Sequence, residues 1–82
     1  MAVKKPLVVE QPSVGKLIRA LRLETALTQE QFAAHLGVTY SSVNHWENGR
    51  SKPSPLAMQK VEGMLEEIGA RGRELLERCL VE

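Results

Sequence analysis

The spacing of apolar residues predicts that the folded part of this chain begins with an amphipathic helix. From Val14 to Leu21 the apolar residues recur three and four positions apart, which places them on one face of a helix. We therefore predict a first helix over residues 14–24. Ser13, directly after Pro12, is a suitable N-cap because its hydroxyl can accept a hydrogen bond from a free backbone N–H.

A second helix is predicted by the residues at its two ends. Thr28 and Gln31 have the spacing of a capping box, in which each side chain bonds to the other residue's backbone N–H. Gly37 then ends the helix, because glycine adopts left-handed backbone angles without steric cost. The predicted helix covers residues 29–36.

Three further helices are predicted after this turn. Thr39 can cap a third helix that runs to about residue 48. After a loop over residues 51–55, apolar residues on one stripe predict a fourth helix, which Gly69 would break, and a short fifth helix follows over about residues 71–80. The apolar stripe of the fourth helix consists of Ala57, Val61, Met64, Leu65 and Ile68, and that of the fifth helix consists of Leu75, Leu76, Cys79 and Leu80.

Together these elements predict an all-α fold, a compact bundle of four to five short helices. In front of it, residues 1–12 hold two prolines and a β-prone run at residues 7–9, which predicts a short extended arm outside the bundle. The predicted organisation is this arm followed by one domain over residues 13–82, whose C-terminal helices occupy residues 55–81.

Length and composition are typical of a small soluble domain. The chain has 82 residues, 43% of them hydrophobic, and no apolar run approaches the roughly 20 residues that span a bilayer. The apolar run after Lys4 and Lys5 is too short for a signal peptide, so we expect a cytoplasmic protein without membrane contact.

Metal, thiol and enzyme chemistry find little support in the sequence. Neither the single Cys79 nor His35 and His45 has the spacing of zinc ligands, so no metal or cofactor is predicted. We expect Cys79 to pack as a small apolar residue, and a nucleophile is the less favoured interpretation. No carboxylate pair, phosphate loop or nucleophile with its base has a usable spacing, so we expect neither an enzyme nor a small-molecule substrate.

The charge is unevenly distributed along the chain. The net charge of +1 is low for a nucleic-acid-binding domain. Through Lys52, however, seven basic residues oppose four acidic ones, a balance of +3, whereas residues 53–82 have four against six, a balance of −2. Such an asymmetry can orient a protein on phosphate, although tight binding would need several local contacts or a dimer.

The central helix pair, residues 28–48, has what a helix-turn-helix requires. The motif needs a small residue where the two helices cross, a glycine in the turn, and apolar residues that lock the helices together. Ala33 and Gly37 meet the first two requirements. The apolar lock consists of Phe32, Leu36, Val38, Val43 and Trp46. A plain helical hairpin is the alternative, but it would require neither Ala33 nor Gly37.

Three segments resemble the helix-turn-helix domain of Cro and the phage repressors, the Xre family. They are Leu-Thr-Gln-Glu-Gln-Phe-Ala from Leu27, Leu-Gly-Val-Thr from Leu36, and Trp-Glu-Asn-Gly-Arg-Ser-Lys-Pro from Trp46, the most specific of the three. The resemblance extends from Val14 to about Ile68. It implies a lambda-repressor-like bundle whose third helix reads the major groove of double-stranded DNA.

The resemblance also implies which side chains read bases. Outward positions of the third helix match base-reading positions, and the hydroxyl, amide and imidazole groups found there can hydrogen-bond to base edges. These residues are Thr39, Tyr40, Ser41, Asn44 and His45. Relatives often carry paired glutamines where this chain has Tyr40 and Ser41, so a relative's operator sequence cannot be transferred. A polar helix that is merely solvated is the alternative.

Other residues match phosphate contacts and a structural pair of the family. The phosphate contacts match Gln29 at the start of the second helix, Arg22, and Asn48, Arg50 and Lys52 around the end of the third helix. Arg22 and Glu47 match an arginine–glutamate pair that ties the recognition helix to the first helix. Trp46 replaces the commoner aliphatic residue, and we expect it in the core; contact of its indole edge with the DNA backbone is the alternative.

These observations favour a sequence-specific transcriptional regulator, a repressor that binds a near-palindromic operator as a homodimer. The fourth and fifth helices and residues 7–9 are the candidate dimer interface, and a partner must cover the fifth helix if its stripe has no neighbour in the monomer. Two alternatives stay open: an antitoxin that binds its operator and a toxin protein, and a protein-interaction module without DNA binding. The arm could be a frayed terminus, a strand at the dimer interface, or a basic arm that touches DNA through Lys4 and Lys5.

Overall fold

The computed structural model describes residues 10–80, and these form five α-helices. The helices are α1 (Ser13–Glu24), α2 (Gln29–Leu36), α3 (Tyr40–Glu47), α4 (Pro55–Glu67) and α5 (Ala70–Leu80). Residues 10–80 contain no strand, so the all-α prediction is confirmed. Most of the predicted N-terminal arm, residues 1–9 with Lys4 and Lys5, lies outside the described residues, as does the side chain of Leu80.

A single hydrophobic core joins all five helices. α1 packs against α3 and α5, α2 against α3 and α4, and α4 against α5. The predicted stripes supply this core because each amphipathic helix turns its apolar face toward its neighbours. The buried apolar side chains are Val14, Leu17, Ile18, Leu21, Phe32, Ala33, Leu36, Val43, Trp46, Ala57, Val61, Met64, Leu65 and Leu75. Ile68, Leu76 and Cys79 are partly buried against them.

The first helix begins differently from the prediction. Ser13 is the first residue of α1 and not its N-cap; Pro12 takes the cap position, without a side-chain cap bond. The residues before Pro12 make a serine cap unnecessary. The backbone carbonyl of Glu10 accepts from Val14 N–H at 2.9 Å, and Oε1 of Gln11 accepts from Gly15 N–H at 3.1 Å. The predicted serine cap was therefore wrong, because other oxygens already satisfy these N–H groups.

The ends of α2 and α3 confirm the predicted turn. Both hydrogen bonds of the capping box between Thr28 and Gln31 are present, and Gly37 is left-handed with a φ of 75°. Thr39 then caps α3, since its side chain accepts from Ser42 N–H at 3.2 Å. The two helices are therefore separated by only Gly37, Val38 and Thr39.

The last helix is covered within the chain itself. α5 lies against α1 and α4, and Leu75 on its inner face is buried. Gly72 permits close packing on α4, because a Cβ there would collide with the backbone of Leu65. Arg71 adds a bidentate ion pair to Glu24 at the end of α1. Leu75, Leu76 and Cys79 of the α5 stripe therefore have apolar neighbours in the monomer.

Candidate nucleic-acid interface

The inner sides of α2 and α3 lock the two helices at a fixed angle. Ala33 is only 3% exposed, which fits a small residue at a helix crossing. Phe32, Leu36, Val43 and Trp46 are buried, and Val38 is partly buried against them. Trp46 is thus a core residue, as expected. Because side chains of both helices share the core, the opposite side of α3 has a defined orientation on the protein surface.

The outer side of α3 carries polar groups without partners in the described part of the chain. Tyr40 is half exposed, and Ser41 and His45 are exposed. Residues at these spacings lie on one side of a helix. Thr39 is exposed too, but its hydroxyl is engaged in capping, with Ser42 N–H and Ser42 Oγ as its partners. The unengaged hydrogen-bonding groups of this face are therefore those of Tyr40, Ser41 and His45.

Asn44 and Gln29 are brought together by hydrogen bonds within the protein. Nδ2 of Asn44 donates to Oε1 of Gln29 at 3.3 Å, and Oδ1 of Asn44 accepts from Nδ2 of Asn48 at 3.1 Å. Nε2 of Gln29 in turn donates to Oε1 of Glu47 at 3.0 Å. This chain of amides connects the start of α2 to the end of α3. Asn44 and Gln29 are both half-buried, so their polar atoms are less available than those of Ser41.

Arg22 and Glu47, expected to pair, form a bidentate ion pair between α1 and α3. Nε of Arg22 donates to Oε2 of Glu47 at 2.7 Å, and Nη2 donates to Oε1 at 3.0 Å. Nη1 donates to the carbonyl of Leu27 at 3.1 Å. The side chains are only 13% and 3% exposed. Hydrogen bonding to Glu47 raises the pKa of Arg22 above its already high usual value, so the guanidinium keeps its charge.

The loop after α3 carries exposed basic residues. Asn48 forms the C-cap of α3, and Arg50 and Lys52 follow it with exposed side chains. The Arg50 backbone N–H donates to the carbonyl of His45 at 2.8 Å, so the loop folds back onto the end of the helix. Nζ of Lys52 lies 3.5 Å from Oε1 of Glu10 in a solvent-exposed pair. An exposed pair of this kind is weak and leaves the lysine able to exchange partners.

Two residues that the sequence did not single out join α1 to this loop. Nε2 of Gln11 donates to the carbonyls of Trp46 at 3.0 Å and Ser51 at 2.6 Å. Gly15 lies so close to the end of α3 that a Cβ would collide with the Trp46 carbonyl. A glycine directly after the first apolar residue of a helix is a signal of close approach, which could have drawn attention to Gly15. No comparable signal exists for Gln11, because its partners are 35 and 40 residues away.

Other site types find no support in the described residues. No helix within residues 10–80 has the length and apolar character that crossing a bilayer requires. Over the same range, no three residues among histidine, cysteine, aspartate and glutamate are grouped so that they could bind a metal ion. The polar groups of interest lie on the outer side of one helix and the loop that follows it.

Comparison with known proteins agrees with this geometry. A protein-family model described as Helix-turn-helix matches residues 18–67, which include α2, α3 and both members of the Arg22–Glu47 pair. The chain is 35% identical over 65 residues to a Yarrowia lipolytica (strain CLIB 122 / E 150) protein that carries the name multi-protein-binding factor 1. The match covers 79% of this chain but only 42% of that relative's length. No solved structure matches the chain significantly. The family model covers more than half of the chain, which therefore belongs to the Cro and phage-repressor type, or Xre, family of helix-turn-helix DNA-binding domains.

Proposed function

We propose that this protein is a sequence-specific transcriptional repressor that inserts α3 into the major groove of its operator. One observation carries the proposal: Tyr40, Ser41 and His45 lie together on an exposed side of α3 without partners among the described residues. The opposite side of the same helix is anchored by Val43 and Trp46. A rigidly held helix with free polar groups is what direct readout of bases requires.

The contacts within the protein support a division of roles among the candidate residues. Tyr40, Ser41 and His45 read bases, with Thr39 beside them at the start of α3. Asn44 positions α3, because both ends of its amide are bound to protein partners. Arg50, Lys52 and Asn48 contact phosphates. Gln29, whose amide is also bound at both ends, contributes through the backbone at the N-terminus of α2.

A homodimer is part of the proposal. One small domain reads only a few base pairs, and a net charge of +1 gives little non-specific attraction to DNA. A two-fold dimer places two recognition helices about 34 Å apart, one turn of the double helix, and doubles the number of contacts. The selected operator should then be a near-palindrome.

Selection of bound sequences from a random DNA pool tests this function, followed by titration of the selected site. We expect Ser41→Ala and His45→Ala each to weaken binding by about 1–3 kcal/mol and to relax the preference at one position of each half-site. Gln59→Ala on the exposed side of α4 is the control and should bind like the wild type. Failure to enrich any sequence, or equal loss on all sequences in both variants, would contradict base reading by α3.

A second candidate function is the binding of a protein partner, a toxin being one case. The name of the Yarrowia lipolytica relative favours it. Two large apolar side chains, Leu23 and Leu56, are also 59% and 64% exposed. A partner that stays bound to the purified protein after nuclease treatment, and that Leu23→Ser or Leu56→Ser releases, would support this function. A partner lost on nuclease treatment would instead be bound through DNA.

A further inference from the structure

The side chain of Gln11 contacts three backbone groups in three different parts of the fold. Its Oε1 accepts from Gly15 N–H in the first turn of α1 at 3.1 Å. Its Nε2 donates to the carbonyl of Trp46 near the end of α3 at 3.0 Å and to the carbonyl of Ser51 in the following loop at 2.6 Å. A single amide therefore bridges the start of α1, the end of α3 and the loop.

The neighbouring backbone makes this bridge possible. Gly15 is buried, and a Cβ at this position would meet the carbonyls of Trp46 and Glu47 as well as Gln11 Oε1. The absence of a side chain lets α1 approach the last turn of α3 closely enough for Gln11 to reach both carbonyls. Glycine in a helix is otherwise less favourable than alanine, so the close approach gives Gly15 a structural purpose.

The loop that Gln11 holds is the one that carries the basic side chains. Ser51 lies between Arg50 and Lys52 in the chain, and its carbonyl is one of the two oxygens that Gln11 binds. The other end of the loop is fixed to α3, because the N–H groups of Gly49 and Arg50 donate to the carbonyls of Trp46 and His45. Without Gln11, no hydrogen bond among the described residues would join the backbone of Ser51 to the helices.

We infer that Gln11 is a positioning residue for phosphate binding, which holds the loop from Asn48 to Lys52 at the end of α3 so that Arg50 meets the DNA backbone. The inference rests on the proposed function, because the phosphate role of Arg50 belongs to that proposal. Gln11 itself lies where α1, α3 and the loop meet, and it needs no contact with DNA. Its amide orders the loop before binding, so less conformational entropy is lost when the phosphate contact forms.

Hydrogen exchange of the free protein tests the positioning without any DNA. Gln11→Met keeps the length of the side chain and removes all three hydrogen bonds. We expect the exchange rates of the Gly49 and Arg50 amides to rise about tenfold, since hydrogen bonds that hold the loop closed are lost. The Phe32 amide, which donates to the carbonyl of Thr28 at the N-cap of α2, should keep its rate. Gln59→Met, the same substitution at an exposed position of α4, is the matched control.

A second variant guards against simple loss of folding. Gln11→Glu retains an oxygen for Gly15 N–H, and its negative charge is favourable at the N-terminus of α1. It cannot donate to the carbonyls of Trp46 and Ser51, and its second carboxylate oxygen is repelled by these carbonyl oxygens. We therefore expect at least the same rise in exchange at Gly49 and Arg50 as in Gln11→Met, while an unchanged rate at the Phe32 amide reports that the variant is folded.

DNA titration then tests whether Gln11 acts through Arg50. Gln11→Met should weaken binding about tenfold and flatten the slope of log K against log salt, because the phosphate contact of Arg50 is lost. Partial unfolding alone would weaken binding but leave this slope unchanged. In an Arg50→Ala background the same substitution should have little further effect.

A wrong role for Gln11 can be distinguished from a wrong proposed function. Unchanged exchange at Gly49 and Arg50, or a loss of affinity that simply adds to that of Arg50→Ala, would overturn the role of Gln11. Absence of DNA binding by the wild type would overturn the proposed function, and with it the phosphate contact of Arg50 that Gln11 supports.

Discussion

At the scale of single residues, two bidentate ion pairs of this protein differ in how far they are removed from water. Arg22 and Glu47 are 13% and 3% exposed, whereas Arg71 is 64% exposed beside Glu24. A charge left unpaired in a buried place is strongly destabilising, while a solvent-exposed pair contributes little. The two pairs therefore provide a comparison within one domain.

We expect Arg22→Ala to lower the free energy of unfolding by about 3–5 kcal/mol, because the buried carboxylate of Glu47 loses its charged partner. Arg71→Ala removes an equally bidentate partner at the surface and should have a much smaller effect. Urea unfolding of both variants measures the difference. Similar losses would show that burial does not decide the strength of these pairs. Since the pKa of Arg22 is raised, deprotonation of the guanidinium removes this contribution only as the pH rises through the raised pKa, in strongly alkaline solution.

Two residues in turns have left-handed backbone angles but different side chains. Ala26, between α1 and α2, has a φ of 60°, and Gly37, between α2 and α3, has a φ of 75°. A Cβ disfavours this conformation, so Ala26 is under strain that Gly37 avoids. Nothing but Nζ of Lys60, at 3.5 Å, would lie near a Cβ on Gly37, which makes the backbone the only source of cost there.

Exchanging these two residue types should therefore have opposite effects. We predict that Ala26→Gly raises the free energy of unfolding by up to about 1 kcal/mol and that Gly37→Ala lowers it by about 1 kcal/mol. Thermal or urea unfolding measures both changes. A loss of stability in Ala26→Gly would mean that the greater freedom of glycine in the unfolded chain outweighs the relieved strain.

At the scale of the helices, Gly15 and Gly63 separate the effect of helix–helix packing on stability from the effect of helix propensity. A Cβ on Gly15 in α1 would collide with the Trp46 carbonyl, whereas a Cβ on Gly63 in α4 would meet nothing within 4 Å. We predict that Gly15→Ala lowers the free energy of unfolding by about 1–3 kcal/mol, because α1 must move away from α3. Gly63→Ala should raise it by about 0.5–1 kcal/mol, since alanine is the better helix former. Stabilisation by both substitutions would show that α1 and α3 can separate without loss.

The helices themselves were well predicted, because their ends depend on local signals. The capping box of Thr28 and Gln31, the glycine at position 37 and the stripes of α4 and α5 each act within a few residues. The family resemblance added the expectation that Arg22 and Glu47 pair, which spacing alone does not give.

Contacts between distant segments could not be predicted in the same way. Gln11 reaches one carbonyl in the last turn of α3 and one in the loop after it, and Gln29 bonds to both Asn44 and Glu47. A polar side chain carries no periodic pattern that announces such partners. The error at Ser13 has a local cause instead, because Gln11, four residues before Gly15, already supplies an oxygen to the first turn of α1.

At the scale of the whole molecule, salt dependence can report how many copies of the protein bind one operator. Each phosphate contact contributes about 0.9 to the slope of log K against log salt, so Arg50→Ala should flatten the slope by about 0.9 for a monomer and about 1.8 for a dimer. Titrations at several salt concentrations measure the change. Arg73→Ala removes the same charge from the exposed side of α5 and serves as the control. An unchanged slope in Arg50→Ala would contradict its contact with phosphate.

The place of Trp46 has a practical consequence for all of these measurements. It is the single tryptophan of the chain, the residue is only 5% exposed, and its carbonyl is bound by Gln11. Its fluorescence is therefore an intrinsic optical probe of the junction between α1 and α3. Emission should move to longer wavelengths whenever water reaches this junction, so separation of the two helices can be followed in solution without attaching a dye.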